Sequence, residues 1–190
     1  MCGIAGFYQS GERYNLHDLQ AMTDAIAHRG PDASGHYLQQ KIGLGHRRLS
    51  IIDLSEAANQ PMLSADGSLR IVYNGEIYNF REIAAELGIQ FRTGSDTEVL
   101  LEAYRVWGKA FVHKLNGMFA FAIWNEQDQS LFLCRDRLGI KPLYYWLDGE
   151  NLAFASELKA LLPLQKNRPF TLNTQAVRNY LLLGYIPEPM

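Results

Sequence analysis

With 190 residues, 47% hydrophobic and 20% charged, the chain has the size and balance of one globular domain with a sizeable core. A net charge of −2 excludes the electrostatic footprint of a nucleic-acid or anionic-membrane partner, and no apolar run approaches the roughly 20 residues that span a bilayer. Residues 1–10 carry no secretory pattern, and Cys2 and Cys134 are too few for a disulfide or zinc framework, so a cytoplasmic location is expected.

In chain order, Gly3–Tyr8 reads as a short buried strand. Leu16, Leu19, Met22 and Ile26, spaced by three and four, predict a helix that stops at His28-Arg29 ahead of Gly30-Pro31. Strands are expected around Gly35–Leu38, Gly43–Arg47 and Leu69–Tyr73. The pairs Asn79/Glu82 and Ser95/Glu98 have capping-box spacing. The first precedes a short helix ending near Gly88, the second a longer one carrying Val99, Leu100, Leu101, Tyr104 and Trp107. Apolar strands follow at Met118–Trp124, Leu131–Arg135, Leu143–Leu147 and Leu152–Ala155, then helical patterns at Glu157–Leu162 and near Asn173–Leu183. Strand groups set apart from helix groups predict an α+β fold with largely antiparallel sheets. Gly184–Met190, with Pro187 and Pro189, reads as the start of a linker toward a further domain.

Cys2 carries the first chemical signal. Methionine is trimmed when a small residue follows, so the mature chain can begin at Cys2, with a thiol and its own α-amine a few ångströms apart. Thiol and amine hold protons with similar affinity, so the amine serves as the base that nucleophilic catalysis needs and no histidine is required. A buried small side chain at a strand start explains the same residue without chemistry.

Its neighbours decide between these readings. MCGIAGF opens the chain, followed in order by HRGPD (28–32), RRLSIIDLS (47–55), NQPM (59–62), NGEIYN (74–79) and SDTEVLL (95–101). NGMFAFAIW (116–124), RDRLGIKPLYY (135–145) and FASELKAL (154–161) complete the set. Across its whole length the sequence resembles class II glutamine amidotransferases, the N-terminal-nucleophile family, and within it the glutamine-hydrolysing asparagine synthetase branch.

That resemblance implies a four-layer αββα sandwich, two antiparallel sheets between helical layers, with residues 1–183 as the amidotransferase domain and 184–190 as the linker's start. Cys2 is then the nucleophile. Asn74 and Gly75, which alone signal a hairpin turn, become the oxyanion hole. Arg48, the arginine immediately before LSI, matches the group that holds glutamine's α-carboxylate, with Ile52 lining the same pocket. Asp96 and Glu76 match the acceptors of its α-ammonium, although an acid in the first turn suits a helix on its own. Glutamine hydrolysis needs no metal or organic cofactor; ATP and magnesium belong to a synthetase domain, whose pyrophosphate loop this sequence lacks.

The expected partners are L-glutamine and a synthetase domain or acceptor enzyme that receives ammonia, with a homodimer left open. His28, Arg29 and Asp32 are expected to shape a loop beside the pocket, whereas Cys134 and His17, His36, His46 and His113 read as structural. Two rivals stand beside this reading: an N-terminal-cysteine hydrolase of a larger amide, and a non-catalytic binding module of the same fold. An exposed apolar patch at Leu181–Leu183 and Tyr185 is expected at the face toward a partner domain.

Overall fold

A computed structural model of the chain describes residues 1–165 and 171–187. Its first sheet is built from β1 (Gly3–Tyr8), β2 (Ala33–Leu38), β3 (Ile42–Arg48), β8 (Tyr144–Asp148) and β9 (Asn151–Ala155), in the order β2-β3-β1-β9-β8. The second contains β4 (Met62–Leu63), β5 (Leu69–Ile77), β6 (Gly117–Asn125) and β7 (Ser130–Arg135), in sequence order. Every pairing in both is antiparallel.

The period-two alternation of side chains along a strand gives each sheet two apolar faces. Ile4, Ile42, Leu44, Val72, Ala122, Trp124 and Phe154 form the seam between the sheets. On the outer face of the first sheet, Ala5 and Phe7 pack on α1 (Leu16–Asp24) and on the turn Leu158–Leu164. On the outer face of the second, Ile71, Tyr73 and Phe121 pack beneath α2 (Phe80–Leu87), α3 (Asp96–Trp107) and the turn Gly108–Lys114. The expected αββα order is therefore observed.

Several local expectations need correction. The first helix ends at Asp24, and Ala27–Arg29 form a separate 3-10 turn. Gly30 does more there than stop a helix: a Cβ on it would lie 2.4 Å from the Arg47 carbonyl, so the HRGPD turn packs directly on the backbone of β3. Asn79 makes no capping bond; its side chain ties Lys114 O and Asn116 N, each at 2.9 Å. Ser95 does cap α3 by accepting from Thr97 N. Glu98 leaves the box and instead accepts from Arg92 N–H and Thr93 N–H, holding the loop that enters the helix. The capping box that does form, Asn15 with Asp18, uses an aspartate in place of the expected longer acid. At 157–162 a 3-10 turn replaces the expected helix.

The final helix α4 (Thr174–Leu183) ends on left-handed Gly184 and buries no residue. Leu181, Leu182, Leu183 and Tyr185 are all exposed, as the sequence suggested. Of the tail expected at 184–190, residues 188–190 lie outside the described residues.

Candidate active site

At one end of the inter-sheet seam lies a cavity of about 310 Å3, a volume suited to one small molecule. Cys2, Arg48, Ile52, Asn74, Gly75, Glu76 and Asp96, separated by up to 94 positions in sequence, all line it. Three strands and one helix bring them together: Cys2 immediately precedes β1, Arg48 ends β3, residues 74–76 lie in β5 and Asp96 opens α3.

Cys2 is half-buried, and its sulfur lies against Leu49, 3.4 Å from the N–H and 3.5 Å from the carbonyl. Its own carbonyl accepts from Arg29 Nε at 3.0 Å, and Arg29 Nη1 is paired with Glu157 Oε1 at 3.0 Å. His28 donates to the same carboxylate. Burial pushes Glu157 upward, but hydrogen bonds from Arg29, His28 and Lys159 outweigh it and bring the pKa down to about 2. Mutual bonds between Ile4 and Ser156 fix the next residue pair of β1, so the chain beyond Cys2 is anchored on both sides. Asp32, as expected of a loop-shaping residue, accepts from Ser50 N–H at 2.7 Å.

The hairpin reading of Asn74-Gly75 is overturned. Both sit inside β5, opposite Ala120 and Phe119 of β6. Phe119 directs its N–H and carbonyl to Asp136, away from β5, so the Gly75 N–H points away from β6 as well. Its neighbours on that edge, Tyr73 N–H and Ile77 N–H, are taken by Gln60 Oε1 at 2.6 Å and by Asp96 Oδ2 at 3.0 Å. Gly75 lies between them, with its N–H on the cavity side. A Cβ at Gly75 would fall 2.4 Å from Met118 O, which accounts for glycine at this position of the strand. Asn74 is 1% exposed, and its Nδ2 is buried without a partner among the described residues. Such an orphan donor normally costs about 1–3 kcal/mol, so it marks a place prepared for an acceptor.

Arg48 is buried, and its Nη1 donates to Ser55 O at 2.8 Å and Asn59 Oδ1 at 2.7 Å, with Nη2 on Asp53 O. These oxygens carry no formal charge, so the guanidinium organises the 49–55 loop while keeping its positive charge for the cavity. At the other side, Asp96 Oδ2 also accepts from Tyr73 Oη at 2.7 Å. Burial raises the Asp96 carboxyl above the usual carboxylate range, and nearby Glu76 pushes it the same way.

Four contributors escaped the sequence reading. Gln60 and Tyr73 hold the edge of β5, and Asp136 secures the turn after β7 through Ile140 N and Lys141 N. The fourth, Lys141, is 3% exposed and lines the cavity. Only the D-x-L-G spacing at 136–139 hints at a turn; a lone Lys before Pro142 has no periodicity to reveal it. The remaining candidates are structural in position. His46 is buried, with its pKa lowered by desolvation to about 3, and contacts Tyr73 O; His36 pairs with Thr23 Oγ1. His17 and His113 are exposed, and burial pushes the Cys134 thiol up.

Two antiparallel sheets between helical layers, opening on a cavity beside a cysteine at position 2, define an N-terminal-nucleophile hydrolase fold. The family described as the glutamine amidotransferase domain matches residues 1–190, and the chain belongs to it. It is 41% identical, over 198 residues, to asparagine synthetase [glutamine-hydrolyzing] 1 of Bacillus subtilis, covering 100% of this chain and 30% of that protein. Amidase chry2 of Gibberella zeae is 39% identical over 177 residues, covering 85% of this chain and 26% of its own. Among solved structures, glutamine phosphoribosylpyrophosphate amidotransferase from B. subtilis superposes with a TM-score of 0.73 at 22% identity, covering 86% of this chain and 43% of that one. The chain thus spans less than half the length of these relatives.

Proposed function

We propose that this domain, once Met1 is removed, hydrolyses free L-glutamine to glutamate and ammonia through a thioester on Cys2. The single observation that carries the reading is the orphan Asn74 Nδ2, buried beside the Gly75 N–H in the cavity that also holds Cys2. The freed α-amine takes the thiol proton, and sulfur attacks the side-chain amide carbon. Asn74 Nδ2 and Gly75 N–H hold the oxyanion. The amine returns its proton to the leaving nitrogen, ammonia departs, and water cleaves the thioester to release glutamate. Arg48 holds the substrate carboxylate beside Ile52, while Asp96 and Glu76 accept from the ammonium. Opposite charges at the two sides favour a free amino acid over a peptide amide.

A glutamine-mimicking electrophile is the direct test. It is expected to form one covalent adduct on Cys2, blocked by excess L-glutamine and located by peptide mass spectrometry. Adduct on Cys134 alone, or labelling that glutamine does not compete, sinks the proposal.

Asp96 supplies a second test that separates binding from folding. Its pKa is raised in the fold, so its stabilising contribution is full below the unfolded value and is lost as pH rises through the raised one. Above that raised pKa the ionised group therefore weakens the fold. Asp96→Asn keeps an oxygen for Tyr73 Oη and Ile77 N–H, so its Tm should equal or exceed wild type. The lost charge should raise KM for glutamine roughly 10–100-fold, the equivalent of about 1.5–3 kcal/mol for a charged hydrogen bond. A parallel fall in Tm, or an unchanged KM, removes Asp96 from the substrate site.

For the ammonia we propose a synthetase domain as acceptor and asparagine as product, with residues 1–183 as the glutaminase unit and 184–190 as the start of a linker. The support is the kinship with proteins named asparagine synthetase over a fraction of their length. ATP and magnesium would serve that acceptor half alone. Among the described residues no helix is long and apolar enough to cross a membrane. The cytoplasm is proposed on Cys2 and Cys134, both free thiols, which suit a reducing compartment.

A further inference from the structure

The least explained group in the molecule is Lys141. A lysine this buried is ordinarily paired, because an unpaired ammonium in a low-dielectric site is costly. Lys141 is 3% exposed, yet no carboxylate lies within ion-pair distance of it among the described residues. Its Nζ contacts Met1 Sδ at 3.0 Å, and a thioether is a weak acceptor. The side chain has little freedom to withdraw. Its backbone N–H is held by Asp136 Oδ2 at 3.0 Å, and its carbonyl by Arg135 Nε at 2.7 Å. Removal of Met1, which frees the base, also takes away this partner and leaves an ammonium facing the cavity beside Cys2.

We propose that Lys141 is a positioning residue for the nucleophile: in the processed chain its ammonium faces the Cys2 sulfur and favours the thiolate. The inference rests on the glutaminase reading given above. The charged and titratable groups around this spot are the freed α-amine of Cys2, Arg29 from the 3-10 turn, Arg48 from β3, Tyr73 and Glu76 from β5, Asp96 from α3 and Asp136 from the turn after β7. Among the described residues Arg29 is paired with Glu157, and the Arg48 guanidinium is held by Ser55 O, Asn59 Oδ1 and Asp53 O, whereas the Lys141 ammonium has only the Met1 thioether as a partner. Burial and Arg29 lower its pKa, while Cys2, Glu76 and Asp136 raise it, with Cys2 the foremost of the three.

Alkylation by iodoacetamide tests this without glutamine. The thiolate displaces iodide from the reagent's methylene carbon, so the pH–rate profile follows the thiolate fraction. In the full 190-residue chain, with Met1 loss confirmed by intact mass, Lys141→Met and Lys141→Gln should both move the Cys2 profile up by about one pH unit. The rate near neutral pH should fall about tenfold. Lys141→Arg, which keeps the charge, should restore the profile, and Cys134 in the same digest should not move. If neither neutral variant folds, the wild-type profile decides: Cys2 must react at lower pH than in the denatured chain. An unmoved profile, or an equal shift in Lys141→Arg, overturns the proposal. Iodoacetamide reacts with Cys2 whether or not glutamine is hydrolysed, so failure here leaves the electrophile-labelling result intact, and the converse holds.

Discussion

A Met1-retaining chain is expected to release ammonia from glutamine about 10²–10⁴-fold more slowly than the processed chain, and Cys2→Ala should be inactive altogether. The two losses have different causes. Alanine removes the nucleophile, and the oxyanion donors alone cannot form a thioester. Retained methionine leaves the sulfur in place but turns the α-nitrogen into an amide, whose lone pair is delocalised and cannot accept the thiol proton. The magnitude is that typical of a positioned general base. Among the described residues no histidine bonds the thiol: Cys2 sulfur lies against the Leu49 backbone, and His46 donates within the fold to Tyr73 O. Ammonia release from a chain made with methionine aminopeptidase inhibited, its mass checked intact, measures the effect. Full activity from the Met1 form would show that the α-amine is not the base.

Most strands and helices, and the α+β class, were legible because strands are bounded by turns and helices by caps, patterns that follow from local geometry; the four-layer order came from the resemblance alone. Where the reading failed, a tertiary contact had overridden a local signal. Asn74-Gly75 has the composition of a tight turn, yet nine consecutive residues of β5 pair with β6 straight through it. The glycine is there because Met118 O leaves no room for a Cβ, a reason invisible without the partner strand. Asn79 has the spacing of a cap, but Lys114 and Asn116 compete for its side chain from 35 and 37 residues away. The cavity residues themselves were found through resemblance; periodicity alone would have left Arg48 a surface charge and Asp96 a helix-starting acid. Lys141, Gln60 and Tyr73 remained hidden because burial and hydrogen bonding, which define their roles, are properties of the folded chain.

Asn74→Ala is expected to lower kcat for glutamine hydrolysis about 10²–10³-fold, equivalent to about 2.7–4 kcal/mol of lost barrier stabilisation. The unusual part of this prediction concerns the fold. Most buried asparagines satisfy backbone groups, and truncating them strands a partner and destabilises the protein. Here Nδ2 has no partner among the described residues, so alanine removes an unsatisfied donor. The gain from losing that donor offsets part of the packing lost around Ala120, and Tm should change little. KM should also hold, because the amide acts on charge that develops in the transition state, while Arg48 and Asp96 bind the substrate's far end. The expected signature is therefore a large loss in kcat with KM and Tm near wild type. Asn74→Asp sharpens it: a carboxylate has the same shape but repels a developing oxyanion, so it should be at least as inactive as alanine. If Asn74→Ala instead loses Tm in proportion to activity, the side chain serves β5 and the oxyanion must be held elsewhere.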